Sequence, residues 1–176
     1  IAALGGAETI EYNGVHYLDC FDMQLVKNYI QLVNHKRNNV YNELSEEDVL
    51  KKLRAIKATG DTTLFGILVF GKGQTTQEVT APTVNIAVTQ YPGDTKVGED
   101  LTQTHLDNRE FNGNIIEQFN LAMDFIKSKL PISGRVEPGG HRKDYLVVPE
   151  IALREALANA LAHRDYSTYS SCIQVD

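Results

Sequence analysis

The 176-residue chain contains no run of 18 apolar residues, so no helical membrane span is expected. The opening Ile1-Ala2-Ala3-Leu4-Gly5-Gly6 is apolar but too short for a secretory leader, and no basic residue precedes it. The first residue is not Met, which predicts a segment that begins inside a longer protein. Cysteine is scarce. Cys20 and Cys172 are too few and too far apart for a disulfide framework. Without a Cys-x-x-Cys pair, no thiolate zinc site is expected. Two reduced thiols suit a cytoplasmic protein. An excess of basic residues is missing too: 17 Lys and Arg against 23 Asp and Glu give a net charge of −6. That balance argues against a protein that coats DNA by neutralising phosphates, while leaving room for a local basic patch. No internal repeat and no low-complexity segment is visible. Gly71-Lys72-Gly73 resembles a P-loop only superficially, because the Gly-x-x-x-x-Gly-Lys-Ser/Thr pattern is absent. Ser170-Ser171 lacks a nucleophile elbow and a positioned base.

What remains is globular: 42% hydrophobic and 23% charged residues. The length suits one domain plus the start of another. Asn13-Gly14, between β-rich runs, predicts a hairpin over residues 8–18. Asp22 reads as an N-cap, and Leu25, Val26, Tyr29, Ile30, Leu32 and Val33 predict a helix to about Lys36. Ser45-Glu46-Glu47-Asp48 is a capping-box pattern ahead of Val49, Leu50, Leu53 and Ile56, and Gly60 is expected to end that second helix. The continuous apolar run from Leu64 to Gly71 predicts a strand covered on both faces. A half-polar strand is expected over 84–91, a loop over 94–103 and a strand over 104–111. Ile115, Ile116, Phe119, Ala122, Met123 and Ile126 predict a third helix over 114–129, stopped by Pro131. Short strands near Arg135 and Tyr145 flank the turn Glu137-Pro138-Gly139-Gly140. A fourth helix over 149–164 and a strand over 172–175 close the chain. The fold class is therefore α/β (α+β), with a mixed sheet and about four helices.

In the fourth helix, Leu153, Ala156, Leu157, Ala160 and Leu161 read as the packing stripe. Glu155, Asn159 and His163 recur at i, i+4 and i+8, so they share one face beside it. A carboxylate and an amide oxygen are hard ligands of the kind Mg²⁺ takes while keeping waters and bridging to phosphates. A carboxylate there also suits the polarisation of an attacking water. Spacing alone leaves open a solvated face that carries these three side chains without a ligand.

The run Ala152-Leu153-Arg154-Glu155-Ala156-Leu157-Ala158-Asn159-Ala160-Leu161-Ala162-His163-Arg164-Asp165-Tyr166-Ser167 resembles the junction sequence of a prokaryotic family. That family comprises RecG-like helicase-related proteins and Schlafen-type transcriptional regulators. Thr63-Leu64-Phe65-Gly66-Ile67-Leu68-Val69-Phe70-Gly71-Lys72 resembles its glycine-containing strand, and Phe111-x-Gly113-x-Ile115 fits as well. The resemblance runs over about residues 45–176. It implies an AlbA-like DNA-binding region over 1–148, followed over 149–176 by the N-box helix and first strand of a GHKL-type ATP-binding domain. By that resemblance Asn159 is a Mg²⁺ ligand and Glu155 the water-activating carboxylate. His163, Arg164 and Asp165 are further signature residues grouped with the cofactor site, Arg164 suiting either a phosphate contact or a pairing with Asp165, and ATP and Mg²⁺ are the cofactors of the complete domain. The family's Asp-x-Gly adenine motif and glycine-rich lid have no counterpart before Asp176, so this segment alone is not expected to hold ATP well.

The implied function is an ATP-binding, DNA-associated transcriptional regulator. An ATP-driven DNA-remodelling protein is the alternative from the enzyme class. A non-enzymatic interaction module is a third, since an unpaired strand at 172–175 would invite a homodimer. Other groups read two ways. His141-Arg142-Lys143 after Gly139-Gly140 suits either an anion cradle or a solvated turn. The basic residues Lys51, Lys52, Arg54 and Lys57 with His35-Lys36-Arg37 suit either a DNA-facing patch or a solvated surface beside the acidic stretch Glu43 to Asp48. Tyr166 and Tyr169 read as packing or dimer residues.

Overall fold

The structure, a computed structural model, describes residues 6–73, 78, 84–92, 105–136, 142–166 and 172–176. The expected loop over 94–103, the turn at 137–140 with His141, and Tyr169 with Ser170-Ser171 lie outside the described residues. The class is mixed α/β. Two hydrophobic cores lie side by side, one built on residues 7–84 with Tyr166, the other on residues 86–161.

The first core begins with β1 (Glu11–His16), antiparallel to β2 (Asp61–Thr63). The hairpin expected over 8–18 is not formed. Asn13-Gly14 lies inside β1, where Gly14 takes φ 79 and its N–H donates to Asp61 Oδ1 at 3.3 Å. The left-handed residue serves an irregularity in the ladder between Glu11 and His16, a second use of the same backbone freedom. After α1 (Tyr17–Cys20), the predicted Asp22 cap opens α2 (Met23–Lys36) by accepting from Gln24 N at 2.8 Å. Within α2, Val26 alone is fully buried and Leu32 is 53% exposed, so its apolar stripe is only partly used.

The Ser45–Asp48 capping box opens α3 (Glu46–Lys52) as the sequence predicts. The helix stops well before Gly60, because Arg54 turns to φ 58, and Ile56 leaves it to bridge with Thr62. The run after Thr63 is α4 (Leu64–Phe70), a helix and not the expected strand. All seven of its residues are buried, and a segment covered on every side shows no periodicity to tell the two apart. Thr63 decides the local geometry. Its hydroxyl accepts from Gly66 N at 3.2 Å and reaches the carbonyls of Arg54 and Ala55 at 2.8 and 3.1 Å, a side-chain cap on the first turn.

The second core is a three-stranded mixed sheet in the order β4-β3-β7, with helices packed against it. β3 (Ile86–Gln90) pairs antiparallel with β4 (Asp107–Phe111) and parallel with β7 (Ile173–Val175). The last strand is thus paired with β3, Ile173 opposite Ile86 and Val175 opposite Val88, and not left unpaired as expected. α5 (Ile115–Lys129) follows an Asn114 cap. Ala122, Met123 and Phe125 are buried on it, whereas Ile116, expected in the stripe, is 46% exposed. β5 (Ile132–Val136) and β6 (Arg142–Leu146) form a separate antiparallel pair. α6 (Glu150–His163) then returns to the sheet, starting from Pro149 as N-cap. Six helices are present among the described residues, two more than expected, the additions being α1 and α4.

Buried polar side chains stitch the cores together. Asn114 Nδ2 donates to the Gly71 carbonyl at 3.0 Å, and Gln118 Nε2 donates to the carbonyls of Val84 and Gly113 at 2.9 and 2.8 Å. Each directs a side-chain donor onto a backbone oxygen in a buried setting.

Candidate functional site

α6 separates its residues into two faces. Leu157 and Leu161 are buried at 4% and 6% exposure and join the second core, with Leu153 packed beside them. Glu155, Asn159 and His163 are all exposed. At about 100° per residue, the row centred on Asn159 lies roughly 160° around the helix from the stripe centred on Leu157. The sequence placed the polar row beside the packing stripe. In the structure it lies almost opposite, because Ala156 and Ala160, counted into that stripe, are exposed.

The outer face has an unusual make-up. Ala152, Ala156, Ala158 and Ala160 are exposed around the polar row, where a solvated helix face normally carries long charged side chains. Methyl groups give the surface low relief, so a ligand can approach Glu155 and Asn159 closely. The flanks are occupied: Arg154 lies over the Phe119 ring at 5.2 Å, and Glu150 pairs with Lys127 at 3.2 Å. His163, in the last turn, sits at the helix end where a positive charge is favoured.

The residues after His163 divide. Arg164 is half-buried, and its guanidinium lies over the Tyr166 ring at 5.1 Å. Burial lowers its pKa, opposed by the fields of Tyr166 and Cys172. Asp165 is exposed. Tyr166 is 1% exposed and lies in the first core, so it is a packing residue. Burial pushes its phenol up to about 12. Of the two roles the sequence offered Tyr166, packing or a dimer contact, its burial in the first core gives the first.

The basic residues of the first unit are largely engaged with their surroundings. Lys51 pairs with Glu47 at 2.6 Å, Lys57 with Glu11 at 2.5 Å, and Lys27 with Glu46 at 4.0 Å. Lys52 lies over the Tyr41 ring at 5.6 Å and borders a 440 Å³ depression lined also by Asn39, Val40, Asn42, Glu43 and Leu44. None of the α6 row lines it. Cys20 is buried, Cys172 half-buried, and neither is in a disulfide. Among the described residues, no cluster of three or more His, Cys, Asp or Glu side chains is placed to hold a metal, and no helix is long and apolar enough to cross a membrane.

Comparison with known proteins adds fold and little else. Residues 14–87 match a domain of unknown function (DUF8451), which covers most of the first core, without Ala7 and Tyr166, and the start of β3. No curated protein matches the chain. Among solved structures, the DIP2311 protein from Corynebacterium diphtheriae is similar over 94% of this chain at 20% identity, with a TM-score of 0.56. The chain spans 29% of that protein's length, and the likeness is one of fold.

Proposed function

We propose that this chain belongs to an ATP-binding, DNA-associated transcriptional regulator, and that the outer face of α6 is its nucleotide-facing surface. One observation carries the reading: Glu155, Asn159 and His163 stand exposed among alanines, opposite the face that Leu157 and Leu161 bury. A helix that needed only solubility would not require a carboxylate, an amide and an imidazole on successive turns of a smooth surface.

The donor set fits magnesium. The Asn159 amide oxygen and the Glu155 carboxylate are hard oxygen donors, and an ion bound by one or two such groups completes its shell with water and phosphate oxygens. Asn159 would hold the ion; the ion would neutralise phosphate charge. Glu155 is the group to polarise a water if the nucleotide is cleaved. His163 ends the same helix and Arg164 and Asp165 follow it; by the family resemblance all three are signature residues grouped with the nucleotide site.

The DNA-associated role is supported by the family resemblance of residues 45–176 and by no basic surface, since Lys51 and Lys57 pair with carboxylates and Lys52 lies over the Tyr41 ring. The ATP-driven remodelling alternative needs a motor that no P-loop in these residues supplies. A homodimer through the sheet edge at β7 is the third reading, because β7 lies at the end of the order β4-β3-β7. A cytoplasmic location agrees with two thiols outside any disulfide.

The test is calorimetric titration of the full-length protein with Mg-ATP, beside Asn159→Ala. Micromolar binding that is lost in the variant is the expected result. A wild-type protein that takes up no Mg-ATP refutes the reading and leaves the α6 row to a macromolecular partner.

A further inference from the structure

The last turn of α6 depends on a donor from the other core. The final carbonyls of any α-helix lack an intrahelical N–H partner, and Arg164, the C-cap, is extended at φ −62, ψ 138. The Tyr166 hydroxyl supplies one missing donor, to the Leu161 carbonyl at 2.8 Å. The ring behind that hydroxyl is buried in the first core with Phe21, Leu64 and Val84, whereas Leu161 belongs to the second. The Arg164 guanidinium covers the ring at 5.1 Å. The two residues between His163 and Tyr166, Arg164 and Asp165, thus carry the chain from the end of α6 into the N-terminal unit.

We infer that Tyr166 is a latch: a positioning residue that ties the end of α6, and with it Asn159 and His163, to the N-terminal unit, so that the state of that unit and the occupancy of the α6 face influence each other. Nucleotide as the occupant rests on the proposed function above; the mechanical link does not. Any ligand that binds only the ordered last turn draws on the latch, and by thermodynamic reciprocity the ligand must then stabilise the latch's other end. The buried phenol keeps its proton far into the alkaline range, so the donor is present at every physiological pH.

The test is native-state hydrogen exchange on the full-length protein and on Tyr166→Phe, which keeps the ring and removes the donor. Without ligand, amide exchange over 160–163 should quicken roughly three- to tenfold, the effect of one lost hydrogen bond, with α4 unchanged. With saturating Mg-ATP, wild-type protein should gain protection in both α6 and α4, and Tyr166→Phe in α6 alone. An unchanged rate over 160–163 overturns the latch. So does uniform quickening along the whole chain, which is what mere loss of global stability produces, and so does equal protection of α4 in both proteins. If the wild type binds no Mg-ATP but the variant still quickens exchange over 160–163 alone, the nucleotide reading fails and the latch stands.

Discussion

Replacing Asn114 with Ala probes the seam between the two cores. The side chain performs two tasks. Its Oδ1 accepts from Ile116 N at 3.1 Å and Glu117 N at 3.0 Å, capping α5. Its Nδ2 donates to the Gly71 carbonyl at 3.0 Å in a buried setting, and the residue is 1% exposed. Loss of an N-cap costs about 1 kcal/mol. Leaving a buried carbonyl without its donor costs about 1–3 kcal/mol more. The sum predicts a destabilisation of about 2–4 kcal/mol, or a fall in Tm of roughly 5–15 °C for a chain of this size. Urea unfolding gives the free energy and calorimetry the midpoint. Asn114→Asp separates the tasks, since it keeps the cap acceptor and loses the donor to Gly71. If Asn114→Ala lies within about 0.5 kcal/mol of wild type, the level of an ordinary surface substitution, the buried seam does not exist as described.

Gly66→Ala should destabilise the fold by about 2 kcal/mol or more, because a Cβ there would meet the Ala55 carbonyl and the Phe21 ring inside the first core; a variant with a raised Tm would contradict the helical packing of α4. Stability should also fall in alkali. Burial raises Cys20 from 9.0 to about 11 and Tyr166 from 10.0 to about 12, so both favour the protonated, folded state. Their contribution is complete below the unfolded values, is lost as pH rises through the folded ones, and amounts to a few kcal/mol at most on the order-of-magnitude scale of such linkage. Urea midpoints from pH 8 to 12 should therefore drop from about pH 9 upward, and the drop should shrink in a Cys20→Ala, Tyr166→Phe double variant. A flat profile would show that neither group is buried in the folded state.

The sequence disclosed elements whose ends carry their own chemistry. Asp22, Ser45 with Asp48, and Asn114 each announce a helix by a side chain that caps it, and α2, α3 and α5 start where those residues stand. It misled where local freedom has several uses. Gly14 adopts the positive φ that Asn13-Gly14 suggests, but spends it on an irregular strand paired 47 residues away, and no local pattern distinguishes that from a hairpin. α4 looked like a strand because its complete burial removed the periodicity, and its length of seven residues falls where strands and helices overlap. On α6 the residue types of the site were legible and its orientation was not. Alanine packs in a core and sits on a surface with equal ease, so Ala156 and Ala160 gave no bearing on which side of Glu155, Asn159 and His163 the core would lie.

Three buried polar side chains, Asn114, Gln118 and Tyr166, meet a backbone carbonyl at the seam: Gly71, Val84 and Leu161. Apolar packing alone would let two small cores slide, since hydrophobic contact is nondirectional. A side-chain donor on a fixed carbonyl is directional, and breaking it in a buried place leaves an unsatisfied oxygen. Two of these bonds hold the start of α5 and β3, and the third holds the end of α6. The α6 face is therefore set relative to the N-terminal unit by hydrogen bonds at both sides of the second core, a geometry in which disturbing one unit has a defined route to the other. A ligand on Asn159 would meet a helix whose packing face is fixed by Leu157 and Leu161 and whose far end is fixed by the neighbouring unit through Tyr166.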